Sequence, residues 1–326
     1  MRTAGDVATP EGLHAQDHLC WVYDDEADFH HRASRFLAEG IEHGLAAVWV
    51  GVGSHDRLAA ELVGLDVADL ERSGALSILP LPAERPAEAD GGLPDPHAQA
   101  AFWEDWTRRV AAEGFRGLRA AGDSTPWVRT AQEQGTHLAY EAALDRATQR
   151  VPLSVMCAFD RSRLGAEVTA AFAALHPLVS PGASPFQLFF SGEHDLTLRG
   201  EVDLTDARAL RRSLDLVAPG PVLGAGDGAR HAAGHDPDRP AGPAVSELHV
   251  DAGGLRFIDH HGLGALDSFG AERGLVVVLH DARRTCAREV VGLVDLHHVR
   301  VVDGPVEPLG PLMTALPDGE GRGRRG

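Results

Sequence analysis

The chain has 326 residues, 44% of them apolar and 24% charged, with a formal net charge of -18 at pH 7. That apolar share is enough to offset chain entropy, and the length suits two globular domains rather than one, so wholesale disorder is excluded. The acidic balance repels phosphate backbones and anionic lipid, and neither a long apolar run nor a leader-like N-terminus is seen, so the expectation is a cytoplasmic protein that contacts neither nucleic acid nor membrane.

The first eleven or so residues are unpatterned and read as a frayed terminus, with structure beginning near His18. An apolar, β-prone run over 19–23 is followed by Asp24, Asp25 and Glu26, acidic residues that suit the positive end of a helix. The predicted helix covers 26–42 and buries Phe29, Ala33, Phe36, Leu37 and Ile41 at three- and four-residue spacing. A continuous apolar run over 46–51 predicts a strand covered on both faces. A helix over 54–63 and a strand over 76–79 continue the alternation of a parallel α/β sheet. Residues 80–96 form a long loop, and then come a helix over 98–113, a strand over 114–120, a helix over 132–150, a strand over 153–159 and a helix over 162–175.

Pro181, Gly182, Ala183, Ser184 and Pro185 supply a linker, so the expected domains span 14–180 and 186–310. The second opens with a hairpin of 186–190 and 196–198. A helix over 206–217 and a flexible insertion over 219–243 follow. After these come a strand over 247–251, a helix over 262–273, a strand over 275–280, a helix over 284–293 and a strand over 299–302. Residues 311–326 are expected to be a disordered tail, and its Arg322, Arg324 and Arg325 are given no function.

Within the second domain, Leu198-Arg199-Gly200-Glu201-Val202-Asp203 precedes the first helix, and Val250-Asp251 begins the next strand. The stretch Leu255-Arg256-Phe257-Ile258-Asp259-His260-His261-Gly262-Leu263-Gly264 then leads into a helix. At such a turn the free amides of the helix N-terminus favour negative charge, and Gly262 and Gly264 allow a tight turn and close helix approach. Together these segments resemble the STAS domain family of bacterial anti-sigma-factor antagonists. The resemblance implies a mixed sheet with helices mainly on one face, a non-enzymatic role, and an anti-sigma factor or related regulatory protein as partner. It implies partner contacts at Asp203, Asp259, His260, His261, Gly262 and Gly264. The family's phosphate-accepting serine follows the aspartate, and here that position is His260, which cannot form the phosphoserine. Three readings stay open for it: a constitutively unphosphorylated surface, a pH-sensitive interface, or a phosphohistidine or metal role.

In the first domain, four pieces occur in order: His18-Leu19-Cys20-Trp21-Val22-Tyr23; Gly114-Phe115-Arg116-Gly117-Leu118-Arg119-Ala120-Ala121-Gly122-Asp123; Tyr140-Glu141; and Met156-Cys157-Ala158-Phe159-Asp160, with His176-Pro177 later. They resemble the MEDS sensory domain, often joined to STAS or kinase-like domains in actinobacteria, which implies a RecA-like parallel-sheet sandwich. No GxxxxGK[ST] loop is present, so a phosphate-binding P-loop is absent, and Gly51-Val52-Gly53-Ser54-His55 reads as a simple strand-to-helix turn, with anion binding as the alternative.

His18, Cys20, Cys157 and His176 invite a metal hypothesis, but His-x-Cys is not a recognised zinc pair, and the expectation is core packing with no metal and no cofactor. The functional version has His18, Cys20, Glu141, Cys157, Asp160 and His176 lining a sensory pocket at the C-terminal edge of the sheet. The adjacent pairs His30-His31, His260-His261 and His297-His298 are expected to diverge and to chelate poorly. Only Cys20, Cys157 and Cys286 are present, without CxxC spacing, which predicts reduced thiols. The sequence thus reads as a regulator in which a MEDS-like sensor controls a STAS-like output domain. The alternatives are a nucleotide-dependent or phosphotransfer enzyme using His260, and a scaffold in a signalling complex.

Overall fold

A computed structural model describes residues 3–82, 93–191, 196–218, 246–281 and 287–304. The first part is an α/β sandwich whose seven strands are all parallel. In chain order its elements are β1 (Gly5–Asp6), β2 (His18–Tyr23), α1 (Glu26–Glu42), β3 (Ala46–Val52), α2 (His55–Glu61), α3 (Val67–Arg72), β4 (Leu76–Leu81), α4 (Pro96–Ala112), β5 (Leu118–Asp123), α5 (Ala131–Arg150), β6 (Leu153–Asp160), α6 (Arg161–Leu164), α7 (Ala166–Ala173) and β7 (Leu178–Val179). The strand order is β1-β7-β2-β6-β5-β3-β4.

One face of the sheet is covered by α1 and α2, where Phe29, Phe36, Leu37 and Leu58 pack on Trp21, Trp49 and Met156. The other face receives α4 and α5, with Trp103, Val110 and Leu138 against Val48, Ala120, Val155 and Cys157. Helix α1 matches its expected span because its apolar spacing is regular and Asp25 caps it, accepting from the amides of Ala27 and Asp28.

The second sheet is mixed and five-stranded, in the order β12-β11-β10-β9-β8. Its elements are β8 (Phe186–Phe190), β9 (Leu196–Val202), α8 (Ala207–Val217), β10 (Ser246–Ile258), α9 (His260–Arg273), β11 (Leu275–His280), α10 (Ala287–Leu293) and β12 (Val299–Val302). Among the described residues only the β8–β9 pair is antiparallel. In β9, Leu196, Leu198, Gly200 and Val202 are buried while Thr197, Arg199 and Glu201 are not, the alternation of a sheet covered on one face.

Several expectations need correction. The N-terminal residues are not frayed: β1 pairs with β7, and the Leu13 carbonyl accepts from buried Arg119. A two-residue strand carries no periodicity to read. The strand expected at 114–120 begins only at Leu118, because Gly114 and Gly117, with φ of +105° and +156°, turn the chain first. Gly165, with φ of +82°, splits the helix expected at 162–175 into α6 and α7, and α3 was not foreseen. Strand β10 is much longer than 247–251: it runs on past Gly253 and Gly254 through two register shifts that break its alternation. Helix α9 begins at His260, two residues earlier than expected. The insertion over 219–243, the tail over 311–326, Cys286, most of the loop after β4 and most of the turn between β8 and β9 lie outside the described residues.

Candidate functional site

Helix α5 starts with a capping box, in which the Thr130 hydroxyl accepts from Glu133 N and the Glu133 carboxylate accepts from Thr130 N. From there His137, Glu141 and Asp145 follow at four-residue spacing, which places all three on one line of the helix. That line faces the sheet, and all three side chains are buried. Strand β2 contributes His18, strand β6 contributes Cys157, and the turn after α7 contributes His176, each buried as well. His18, Glu141, Cys157 and His176 offer one donor atom apiece within 4.8 Å of one another.

Glu141 is the hub. Its Oε2 lies 3.3 Å from His18 Nε2 and 3.5 Å from His176 Nε2, and its Oε1 lies 3.1 Å from His137 Nε2. The Cys157 thiol donates to Oε2 at 3.3 Å. His18 Nδ1 faces Asp145 Oδ1 at 3.2 Å, and His176 Nδ1 faces the Phe172 carbonyl at 2.8 Å. Burial alone would raise the Glu141 pKa, yet His137, His176 and His18 hold it well below the usual carboxylate range. Burial opposes the charged form of His18, but its carboxylate partners Asp145 and Glu141 win and raise it. His176 is lowered, by burial and then by the charge of His18. Burial and the Glu141 charge push the Cys157 thiol well up, so it is a protonated donor and not a ready nucleophile.

Beside this cluster a cavity of about 560 Å³ opens between the sheet and α4. Cys157 and His137 are part of its lining, and Phe102, Trp103, Trp127 and Tyr140 supply aromatic walls. The small run Ala120, Ala121 and Gly122 in β5 leaves the room. Trp103 Nε1 donates to Tyr140 Oη at 2.9 Å and Trp127 Nε1 donates to the Pro82 carbonyl at 3.2 Å, so both indole N–H groups are spoken for. The lining is mainly apolar, with a few polar side chains, among them Gln99, Ser124, His137 and Cys157.

Of the six residues expected to line a pocket, His18, Glu141, Cys157 and His176 come together. Cys20 is level with Cys157 on the neighbouring strand and is buried, but lies outside the group. Asp160 does not join them: it caps α6, accepting from Ser162 N and Arg163 N. His18 opens β2 and Cys157 is fifth of the eight residues of β6, so the cluster is not at the C-terminal edge of the sheet. His137 and Asp145 were missed, although the four-residue spacing through Glu141 was readable. The turn at Gly53 carries no phosphate loop, and the Ser54 hydroxyl instead caps α2 by accepting from Arg57 N.

At the end of β9 and β10 the second sheet gathers the other expected residues. Asp259 caps α9, accepting from His261 N and Gly262 N at 2.9 Å each. Asp203 accepts from the Thr205 amide and hydroxyl, which lower its pKa. The two aspartates share one edge, since Asp259 N donates to the Val202 carbonyl at 3.1 Å. His260 and His261 are exposed, and their rings do not diverge: the centroids are 3.9 Å apart. Gly262 is explained by packing, because a Cβ there would meet Ile258 Cγ1 at 2.7 Å and Val202 Cγ1 at 2.9 Å. Gly264 has open space around it, so close approach does not account for it. Leu204 and Phe257 leave large apolar side chains exposed at this edge.

Residues 17–177 match the family model described as MEDS, the methanogen/methylotroph DcmR sensory domain. These residues form a MEDS domain. The matched stretch starts one residue before His18 and stops one after His176, so the cluster ties together both ends of the MEDS domain. Among solved structures, a KaiC-like protein from the archaeon Pyrococcus horikoshii is similar at 15% identity and a TM-score of 0.36, over 60% of this chain and 88% of that one. No curated protein matches the chain.

The MEDS domain is joined to the second sheet by more than the connecting peptide. Phe190 N in β8 donates to Asp145 Oδ2 at 3.3 Å, and Leu188 N donates to the Ala174 carbonyl at 2.6 Å. Gln187 Nε2 donates to the carbonyls of His176 and Pro177, both at 2.9 Å. The Arg146 guanidinium donates to the Val217 carbonyl and lies over the Phe190 ring. Asp145 therefore touches His18 with one oxygen and β8 with the other. Among the described residues no helix is long and apolar enough to cross a membrane.

Proposed function

We propose that the protein is a non-enzymatic signalling regulator in which the MEDS domain binds a small, mainly apolar molecule and passes its occupancy to a STAS-type output domain. The observation that carries this is the cavity of about 560 Å³ whose lining includes Cys157 and His137. Its size lies in the roughly 300–1,000 Å³ range of small-molecule sites, and apolar walls with a few polar side chains are the composition such sites have. The output partner is an anti-sigma factor or a related regulatory protein, held at the edge formed by Asp203, Asp259, His260 and His261. The exposed Leu204 and Phe257 supply apolar contact there. With His260 in place of the serine, control of that edge arrives from the MEDS domain rather than from phosphorylation of the turn.

Thermal-shift measurements on the full chain with short-chain alcohols test the cavity. Wild-type protein is expected to be stabilised in a saturable way, and Ala120→Phe, which fills the space, to lose that response. A wild type indifferent to every alcohol contradicts the sensor. For the output edge, a pull-down from the native host is expected to recover a small kinase-like anti-sigma factor. Recovery of only large particle-forming partners contradicts that half of the proposal and favours a scaffold.

A further inference from the structure

Four polar atoms in the α5 cluster crowd one point. Glu141 Oε2 is 3.3 Å from His18 Nε2, 3.3 Å from Cys157 Sγ and 3.5 Å from His176 Nε2, while Cys157 Sγ is 3.6 Å from His18 Nε2. Metal–ligand distances of about 2.0–2.3 Å, those of zinc with imidazole, carboxylate and thiolate, give a tetrahedron with edges of roughly 3.3–3.8 Å. The four contacts have that spacing before any ion is placed.

The imidazoles are also aimed. His176 turns Nδ1 to the Phe172 carbonyl, which only accepts, and His18 turns Nδ1 to the Asp145 carboxylate. In each neutral ring the proton therefore sits on Nδ1, and the Nε2 lone pair points at the shared space. Such outer partners are what fix the tautomer and angle of metal-bound histidines. His176 Nε2 is fully buried and has no hydrogen-bond partner. Without a cation, these rings can answer the Glu141 carboxylate through Nε2 only by holding an extra proton in a dry interior, which burial disfavours. His137 Nε2 lies 3.1 Å from the other carboxylate oxygen without hydrogen-bond geometry, while Oε2 faces the shared point.

We infer that the MEDS domain holds one divalent transition metal of the zinc type, bound by His18 Nε2, Glu141 Oε2, Cys157 Sγ and His176 Nε2. On binding, the Cys157 thiol gives its proton to solvent and the S–metal bond forms. The dication, the Glu141 carboxylate and the Cys157 thiolate then sum to zero charge, which suits full burial. Cys157 also lines the cavity, so the metal lies within reach of its contents. The site does not depend on the proposed sensory role. Asp259, His260 and His261 form a second donor group, but they are exposed at a helix start and no further observation points to an ion there.

Full-length protein stripped with a chelator and titrated with cobalt(II) tests the assignment. The expected result is one equivalent bound, with thiolate-to-cobalt charge-transfer absorption. Cys157→Ser is expected to abolish that absorption, His176→Gln to weaken binding by about tenfold or more, and Cys20→Ser to change neither. The wild-type spectrum decides even if a variant fails to fold. Folded wild type that binds no cobalt, or binds it without the thiolate absorption, overturns the site, as does unchanged binding by folded Cys157→Ser and His176→Gln.

Discussion

Arg119 shows how a charge can be part of a core. Its side chain is buried in β5, where Nε donates to Ser154 Oγ, Nη1 to the Phe36 carbonyl and to Glu39, and Nη2 to the Leu13 carbonyl, while the guanidinium lies over the Phe36 ring. Gly40 makes room for it, since a Cβ there would meet Arg119 Cδ at 2.6 Å. Arg119→Met strands two carbonyls and Glu39, and is expected to cost about 2–4 kcal/mol in urea unfolding. At the other domain, Gly262→Ala is expected to destabilise through its clash with Ile258 and Val202. Gly264→Ala, in a helix with open space, is expected to stabilise by roughly 0.5–1 kcal/mol. Equal effects at the two glycines contradict the packing distinction. Glu104 gives a pH signature: burial would raise its pKa, but hydrogen bonds from Arg150 and Arg108 pull it below the usual carboxylate range. A depressed carboxylate stabilises the fold above its unfolded pKa and loses that contribution as pH falls through its folded pKa. Glu104→Gln is therefore expected to cost about 1 kcal/mol near neutral pH. That difference from wild type is expected to vanish in acid, as followed by urea midpoints across pH.

Helix α5 carries the site and the link to the second sheet, and only part of this was legible beforehand. His18, Glu141, Cys157 and His176 stood out as residue types able to make a polar site, and the structure brings those four together. His137 and Asp145 lie one helical turn either side of Glu141, and neither stands out in the sequence because neither belongs to the Tyr140-Glu141 motif. The helix starts and ends were readable where caps and apolar spacing agree, as in α1. They failed where glycine decides, at Gly117, Gly165 and the Gly253-Gly254 pair, because a backbone turn or bulge leaves no hydrophobic period. Asp145 carries a prediction of its own. Asp145→Asn keeps the volume but weakens both the His18 and the Phe190 contacts. It is expected to leave alcohol stabilisation of the MEDS domain within about twofold of wild type while loosening β8, read as faster amide exchange at Phe190. Unchanged exchange at Phe190 contradicts the link.

Across both sheets, the buried cluster, the cavity and the Asp259 edge lie on one connected body of contacts: cavity to Cys157, Cys157 to Glu141 and His18, His18 to Asp145, and Asp145 to β8, which pairs with β9 beside β10 and the α9 cap. Contact alone is spatial intermediacy, and coupling requires that filling one end change the other. Hydrogen–deuterium exchange on the full chain, with and without saturating butanol in the cavity, measures this directly. Slower exchange is expected in the peptides lining the cavity, at Phe190 in β8, and in the first turn of α9. Protection confined to the cavity, with β8 and α9 unchanged, contradicts a sensor that controls the output edge.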